Sequence, residues 1–84
     1  MKIIWFEEAW DDYLIWQKED NKSLKKINNL IKDIERNGYE GLGHPEPLKY
    51  ELSGFWSREI NQKDRLVYRI DDGVLEILSC KGHY

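Results

Sequence analysis

The chain has 84 residues, enough for one small domain spanning 1–84 and too few for a second core, which would need roughly 50 residues of its own. With 40% hydrophobic and 35% charged residues, and four Trp, five Tyr and two Phe as bulky filling, it is not a disordered chain. A formal net charge of −3 weighs against a domain that grips free RNA or DNA by bulk electrostatics, which requires a strongly basic balance.

In chain order, the β-branched and aromatic run 2–6 predicts a strand. Glu7 and Glu8 close it and suit the first turn of a helix, where the dipole favours negative charge. That helix, 7–19, carries Trp10, Tyr13 and Leu14 at helical spacing, with Ile15 and Trp16 widening the apolar face, and Asp20 and Asn21 end it. A second helix is predicted over 22–37, where Leu24, Ile27, Leu30, Ile31 and Ile34 recur on one stripe and Gly38 supplies the stop. The stretch 38–47 holds three glycines and two prolines and is read as a loop. From Leu48 the hydrophobic period falls to two, giving strands at 48–52, 55–60, 65–70 and 74–80, separated by turn signals at Ser53-Gly54, 61–64 and Asp71-Asp72-Gly73. In 65–70, Leu66, Tyr68 and Ile70 share one face while Arg65, Val67 and Arg69 share the other, the alternation of a sheet covered on one side. The predicted architecture is α+β, in the order β-α-α-β-β-β-β: an antiparallel-rich sheet of about five strands packed on one face by the two N-terminal helices.

Cys80 is the single cysteine, and no Cys/His cluster has zinc-site spacing, so neither a disulfide framework nor a structural metal is expected. That composition fits a reducing cytoplasm. The apolar run 3–6 is far below the roughly 18 residues of a membrane span, and Glu7 and Glu8 end it too early for a signal-peptide core, so no membrane association is expected. Charge is unevenly spread. Glu7, Glu8, Asp11, Asp12, Glu19 and Asp20 crowd the first helix, whereas Lys22, Lys25, Lys26, Lys32 and Arg36 populate the second. Two readings stand: solvated helix faces that attract one another, or a basic strip on the second helix that contacts RNA.

Polar groups that carry chemistry gather in the 38–47 loop, at the strand starts and at the C-terminus. Glu46 sits between Pro45 and Pro47, which fix its backbone. Lys49 and Arg65 are expected near strand starts at the rim of the sheet. The chain closes on His83-Tyr84, an imidazole and an aromatic ring whose terminal carboxylate favours the charged imidazole. Glu, His and Arg fit metal-independent RNA cleavage. A 2′-OH must lose a proton as it attacks phosphorus, the 5′-oxygen must gain one as it leaves, and the phosphorane needs a cation.

Lys2-Ile3-Ile4-Trp5, Trp10-Asp11-Asp12-Tyr13, Lys25-Lys26-Ile27-Asn28, Gly43-His44-Pro45-Glu46-Pro47-Leu48-Lys49, Leu52-Ser53-Gly54-Phe55-Trp56-Ser57-Arg58, Arg65-Leu66-Val67-Tyr68 and the terminal His83-Tyr84 together resemble the YoeB toxins of the RelE superfamily, over essentially the whole chain. The resemblance implies a bacterial type II toxin that cleaves mRNA in the ribosomal A site without metal or cofactor and is neutralised by a YefM-type antitoxin. It implies that Glu46 acts as general base, His83 as general acid and Arg65 as transition-state stabiliser. Lys49, Tyr84 and Arg58 are then substrate-binding. A homodimer, and operator DNA bound only through the toxin–antitoxin complex, follow from the same resemblance.

One position departs from that pattern. Where the family usually shows Ser-Arg-Arg-Ile, with the second arginine at the phosphate, this chain has Ser57-Arg58-Glu59-Ile60. A carboxylate there would repel phosphate and could pair with Arg65. The register of the turn between 60 and 65 decides which face Glu59 takes. Two rivals to the ribonuclease reading follow: a weakened toxin homologue that works as an antitoxin-binding module, and a general RNA-binding domain whose binding falls steeply with salt.

Overall fold

The computed structural model describes residues 1–82; His83 and Tyr84 lie outside the described residues. Strand β1 (Lys2–Trp5) leads into helix α1 (Glu7–Glu19) and helix α2 (Asn21–Asn37). Then come β2 (Glu46–Pro47), a 3₁₀ turn (Tyr50–Leu52), β3 (Trp56–Glu59), β4 (Arg65–Asp71) and β5 (Val74–Ser79). The five strands form one sheet in the order β1-β5-β4-β3-β2. β1 runs parallel to β5, and the other neighbours are antiparallel.

The helix boundaries have local causes. The Asp20 carboxylate accepts the Lys22 and Ser23 backbone N–H groups, so α2 starts directly at Asn21. Gly38, at φ 65°, ends it in a conformation that favours glycine. The α2 stripe does most of the covering. Ile27, Leu30 and Ile34 are fully buried and pack with Leu66, Tyr68, Leu75 and Ile77 from the sheet. α1 buries only Ala9 and Trp16, while Trp10, Leu14 and Ile15 remain exposed, so its wide apolar stripe is used in part. The acids of α1 and the lysines of α2 form no ion pair with each other among the described residues; the helices are joined instead by the Tyr13 hydroxyl donating to Asn28 Oδ1 at 2.8 Å. No helix among these residues is long and apolar enough to cross a membrane.

The predicted strand over 48–52 is not there. The segment that pairs with β3 lies earlier, with Glu46 opposite Ser57 and Pro47 opposite Trp56. The chain then turns through Tyr50, at φ 57°, into the 3₁₀ turn, and the Leu48 N–H donates back to Phe55 O. Leu48, Tyr50 and Leu52 alternate as a strand would, but Tyr50 is 86% exposed and supports no sheet face. β2 is an edge strand, and Pro45 and Pro47 suit it because an outward-facing position needs no N–H donor.

Candidate active site

Strand alternation assigns each functional side chain to a face. On β3, Trp56 and Arg58 lie opposite Tyr68 and Leu66 and face the helices, whereas Ser57 and Glu59 lie opposite Val67 and Arg65 on the uncovered face. Glu46, paired with Ser57, shares that uncovered face. Ser57, Val67 and Ser79 form its buried floor across β3, β4 and β5. Glu46 lies two strands and two residues from Arg65, a Cα separation of about 12 Å by sheet geometry. Their two long side chains can therefore close on one group between them.

The turn from β3 to β4 fixes this register. Asn61 Oδ1 accepts the Lys63 and Asp64 N–H groups at 2.8 and 2.7 Å, and the Ile60 N–H donates to Asp64 O at 3.0 Å. Glu59 is thereby set against Arg65, whose Nη1 donates to Glu59 Oε2 at 3.0 Å. The expectation that Glu59 could pair with Arg65 is met. Among the described residues, Arg65 Nε is buried with no hydrogen-bond partner, which leaves a donor of this guanidinium unused there. The other arginine of the face, Arg69, donates to the Glu76 carboxylate and lies 4.7 Å from the centroid of the Phe55 ring.

The end of β5 is tied to the same corner. Trp16 Nε1 donates to Cys80 O at 2.7 Å, and the Cys80 N–H donates to the Asp12 carboxylate at 3.0 Å. The Gly82 N–H then donates to Asp64 Oδ1, and the Arg65 N–H to Gly82 O, both at 2.9 Å. Residue 82 is thus held against the residues that begin β4. The expected general acid His83 and the expected stacking ring Tyr84 lie outside the described residues. Burial, with the Asp12 carboxylate adding to it, pushes the Cys80 thiol up to about 12, so this cysteine is no nucleophile at neutral pH.

Lys49 is exposed and precedes the 3₁₀ turn, so it starts no strand. His44 is an exposed loop residue at φ 52°. The Glu46 side chain is exposed, and its backbone is positioned from both sides: by the β3 pairing and by the Glu59 N–H, which donates to Gly43 O at 2.7 Å.

Arg58 departs most from expectation. Its side chain is fully buried, and all five of its donors are taken. Nε donates to the Tyr68 hydroxyl, Nη1 to Asp33 Oδ2 and Leu42 O, and Nη2 to Gly38 O and Glu40 O. Nothing is left for a phosphate, and the substrate-binding role expected of Arg58 gives way to a structural one: it gathers 38–42 into the fixed loop that leads to Glu46. Asp33 also accepts from the Leu42 N–H and Asn37 Nδ2, and these bonds, Arg58's above all, hold its carboxyl below the usual carboxylate range. Gly41 is required here, because a Cβ at that position would lie 2.1 Å from Asp33 Oδ2. One signal for Arg58 was available in the sequence: Trp56, Arg58 and Ile60 share a strand face, and two apolar neighbours at that spacing point the arginine inward. Asp33 and Asp64, which carry loop and tail, had no comparable signal, since each reads as an ordinary polar residue.

Two helices on one face of a small sheet, with Glu46, Glu59, Arg65 and Arg69 around a floor of Ser57, Val67 and Ser79 on the other, make the architecture of the small toxins of bacterial toxin–antitoxin systems. A family model described as the YoeB-like toxin of bacterial type II toxin–antitoxin systems matches residues 5–84. Toxin YoeB of Escherichia coli K12 is 58% identical over the full length of both chains. A YoeB–YefM complex from Staphylococcus aureus superposes with a TM-score of 0.93 at 48% identity, covering 100% of this chain and 98% of that one. A YoeB dimer from the same organism gives 0.94 at 49% identity with the same coverage. The chain belongs to the YoeB-like toxin family of type II toxin–antitoxin systems.

Proposed function

We propose that this chain is a ribosome-dependent mRNA endoribonuclease that cleaves in the A site by acid–base catalysis without a metal. Glu46 takes the proton of the ribose 2′-OH as that oxygen attacks phosphorus. The bond from phosphorus to the 5′-oxygen breaks, and His83 gives the leaving oxygen its proton. Arg65 stabilises the added negative charge of the phosphorane. Lys49 supplies supporting positive charge from the exposed approach to the 3₁₀ turn, and Tyr84 stacks on a base, a contact that tolerates any sequence.

The observation that carries this reading is the common face of Glu46 and Arg65, with Arg65 Nε buried and lacking a partner among the described residues. A buried guanidinium donor with no acceptor is costly to maintain unless something fills it, and a phosphate oxygen is the natural complement. The lysines Lys22, Lys25 and Lys26 line an open basin beside Ile60 and Asn61, next to the turn that carries Arg65, which suits docking on ribosomal RNA. By analogy with the S. aureus relatives, the partners are a YefM-type antitoxin and a second copy of the chain. Operator DNA is reached only through the toxin–antitoxin complex, and the site of action is the cytoplasm, where ribosomes translate.

Expression of the chain in bacteria, with the 5′ ends of cellular mRNA mapped, tests the reading. Cuts at codon-linked positions that vanish with His83→Ala are expected. Intact mRNA and normal growth would instead favour the weakened antitoxin-binding module, a reading kept open by the Glu59–Arg65 pair.

A further inference from the structure

We propose that Glu59 is a built-in stand-in for the substrate phosphate: its carboxylate occupies Arg65 in the resting site and must be displaced when the reacting phosphate binds. The proposal rests on the ribonuclease reading for its biological meaning, but not for its chemistry.

Three features of the uncovered face lead to it. The pairing of Glu59 with Arg65 is imposed by strand register rather than by chance contact of surface side chains, because these residues are direct cross-strand neighbours. The bond is single, Nη1 to Oε2 at 3.0 Å, and leaves Nε buried without a partner among the described residues. A phosphate could take two adjacent donors of that fork where the carboxylate takes one. The carboxylate is also free to leave: the Glu59 side chain is 41% exposed, against 16% for Arg65. Ion pairs so exposed to water are weak and exchange readily. No other arginine of the sheet offers the phosphate a free fork, since Arg69 is engaged by Glu76 and Arg58 is sealed on the opposite side of the sheet.

The consequence is a like-charge penalty on the bound phosphate. Two unit charges about 5 Å apart repel by an amount equivalent to roughly fourfold in affinity in bulk water and roughly 200-fold at an effective dielectric of 20. A half-exposed carboxylate belongs toward the lower end, so removing its charge should be worth about tenfold.

The test uses the full chain with inorganic phosphate as the probe, its affinity measured by isothermal titration calorimetry in every variant and its place of binding followed, where Arg65 is present, through the Arg65 side-chain N–H resonances. Glu59→Gln, which keeps the shape but not the charge, is expected to bind phosphate about tenfold more tightly, and Arg65→Ala introduced beside it should abolish the gain. Cleavage of ribosome-bound mRNA by Glu59→Gln should rise in parallel. Unchanged or weaker phosphate binding by Glu59→Gln would overturn the proposal, as would a gain that persists without Arg65. The two readings fail separately. Tighter phosphate binding in a chain that never cuts mRNA removes the ribonuclease and leaves the stand-in, whereas cleavage by the wild type with no gain in Glu59→Gln does the reverse.

Discussion

Arg65→Ala is expected to slow cleavage of ribosome-bound mRNA by about 10² to 10³-fold, the usual consequence of removing one donor aimed at developing oxyanion charge. The size follows from where the side chain sits. Arg65 is on the uncovered face, shares that face with Glu46, and holds a buried donor that no described residue accepts from. Its described partner is a half-exposed carboxylate, a pair worth about 0–1 kcal/mol to the fold. Stability should therefore change little while turnover collapses, and the loss should fall on the rate at saturating ribosome rather than on ribosome binding. Arg65→Lys keeps the charge but not the planar fork and should recover only part of the rate. Full activity in Arg65→Ala would remove this residue from the mechanism.

Arg58→Met is expected to have the opposite profile: a large loss of stability by way of the scaffold. Truncating a buried, fully hydrogen-bonded ion partner costs about 3–5 kcal/mol, because the groups left behind remain buried and unpaired. Here the groups that lose a donor are the Asp33 carboxylate, which keeps the Leu42 N–H and Asn37 Nδ2, the Tyr68 hydroxyl and the carbonyls of Gly38, Glu40 and Leu42. In a domain of this size such a loss lowers Tm on the order of 20 °C, which thermal unfolding followed by circular dichroism would read directly. Arg58→Lys should be nearly as damaging, since one ammonium cannot reach five acceptors. The same network predicts an acid limb to stability. The Asp33 carboxyl is held below its unfolded value, so the unfolded chain binds more protons near pH 4. The stabilisation is fully present above about pH 4 and is lost as pH falls through the folded value, and Asp33→Asn should flatten that limb. Wild-type stability in Arg58→Met would contradict the assignment.

Much of this was legible in the residues, for identifiable reasons. The α2 stripe and the Asp20 and Gly38 punctuation specify a helix almost to the residue, because a five-residue apolar stripe admits no strand reading. The uncovered face was legible from Leu66, Tyr68 and Ile70 alternating with Arg65, Val67 and Arg69. What failed, failed where local pattern competes with turn chemistry. Leu48, Tyr50 and Leu52 alternate like a strand, yet the chain turns at Tyr50 with positive φ and the pairing moves back to Glu46 and Pro47. Glu46 was noticed from its flanking prolines and Arg65 from its strand start, with their roles assigned by family resemblance, whereas their common face is a matter of register. Glu59 was ambiguous for the same reason: its side is decided by Asn61, which accepts two N–H groups and sets the length of the turn.

The small domain with a net charge of −3 should not seize RNA unaided, and the proposed function meets that difficulty by having a ribosome present the reacting phosphate already oriented. The most direct measurement is therefore a single-turnover comparison of the purified chain on one mRNA, free in solution and seated on a ribosome with an empty A site. The account predicts rapid cleavage at the A-site codon of the seated mRNA and feeble cleavage of the same mRNA when free. Equal rates on both, or no cut on the ribosome, would contradict it.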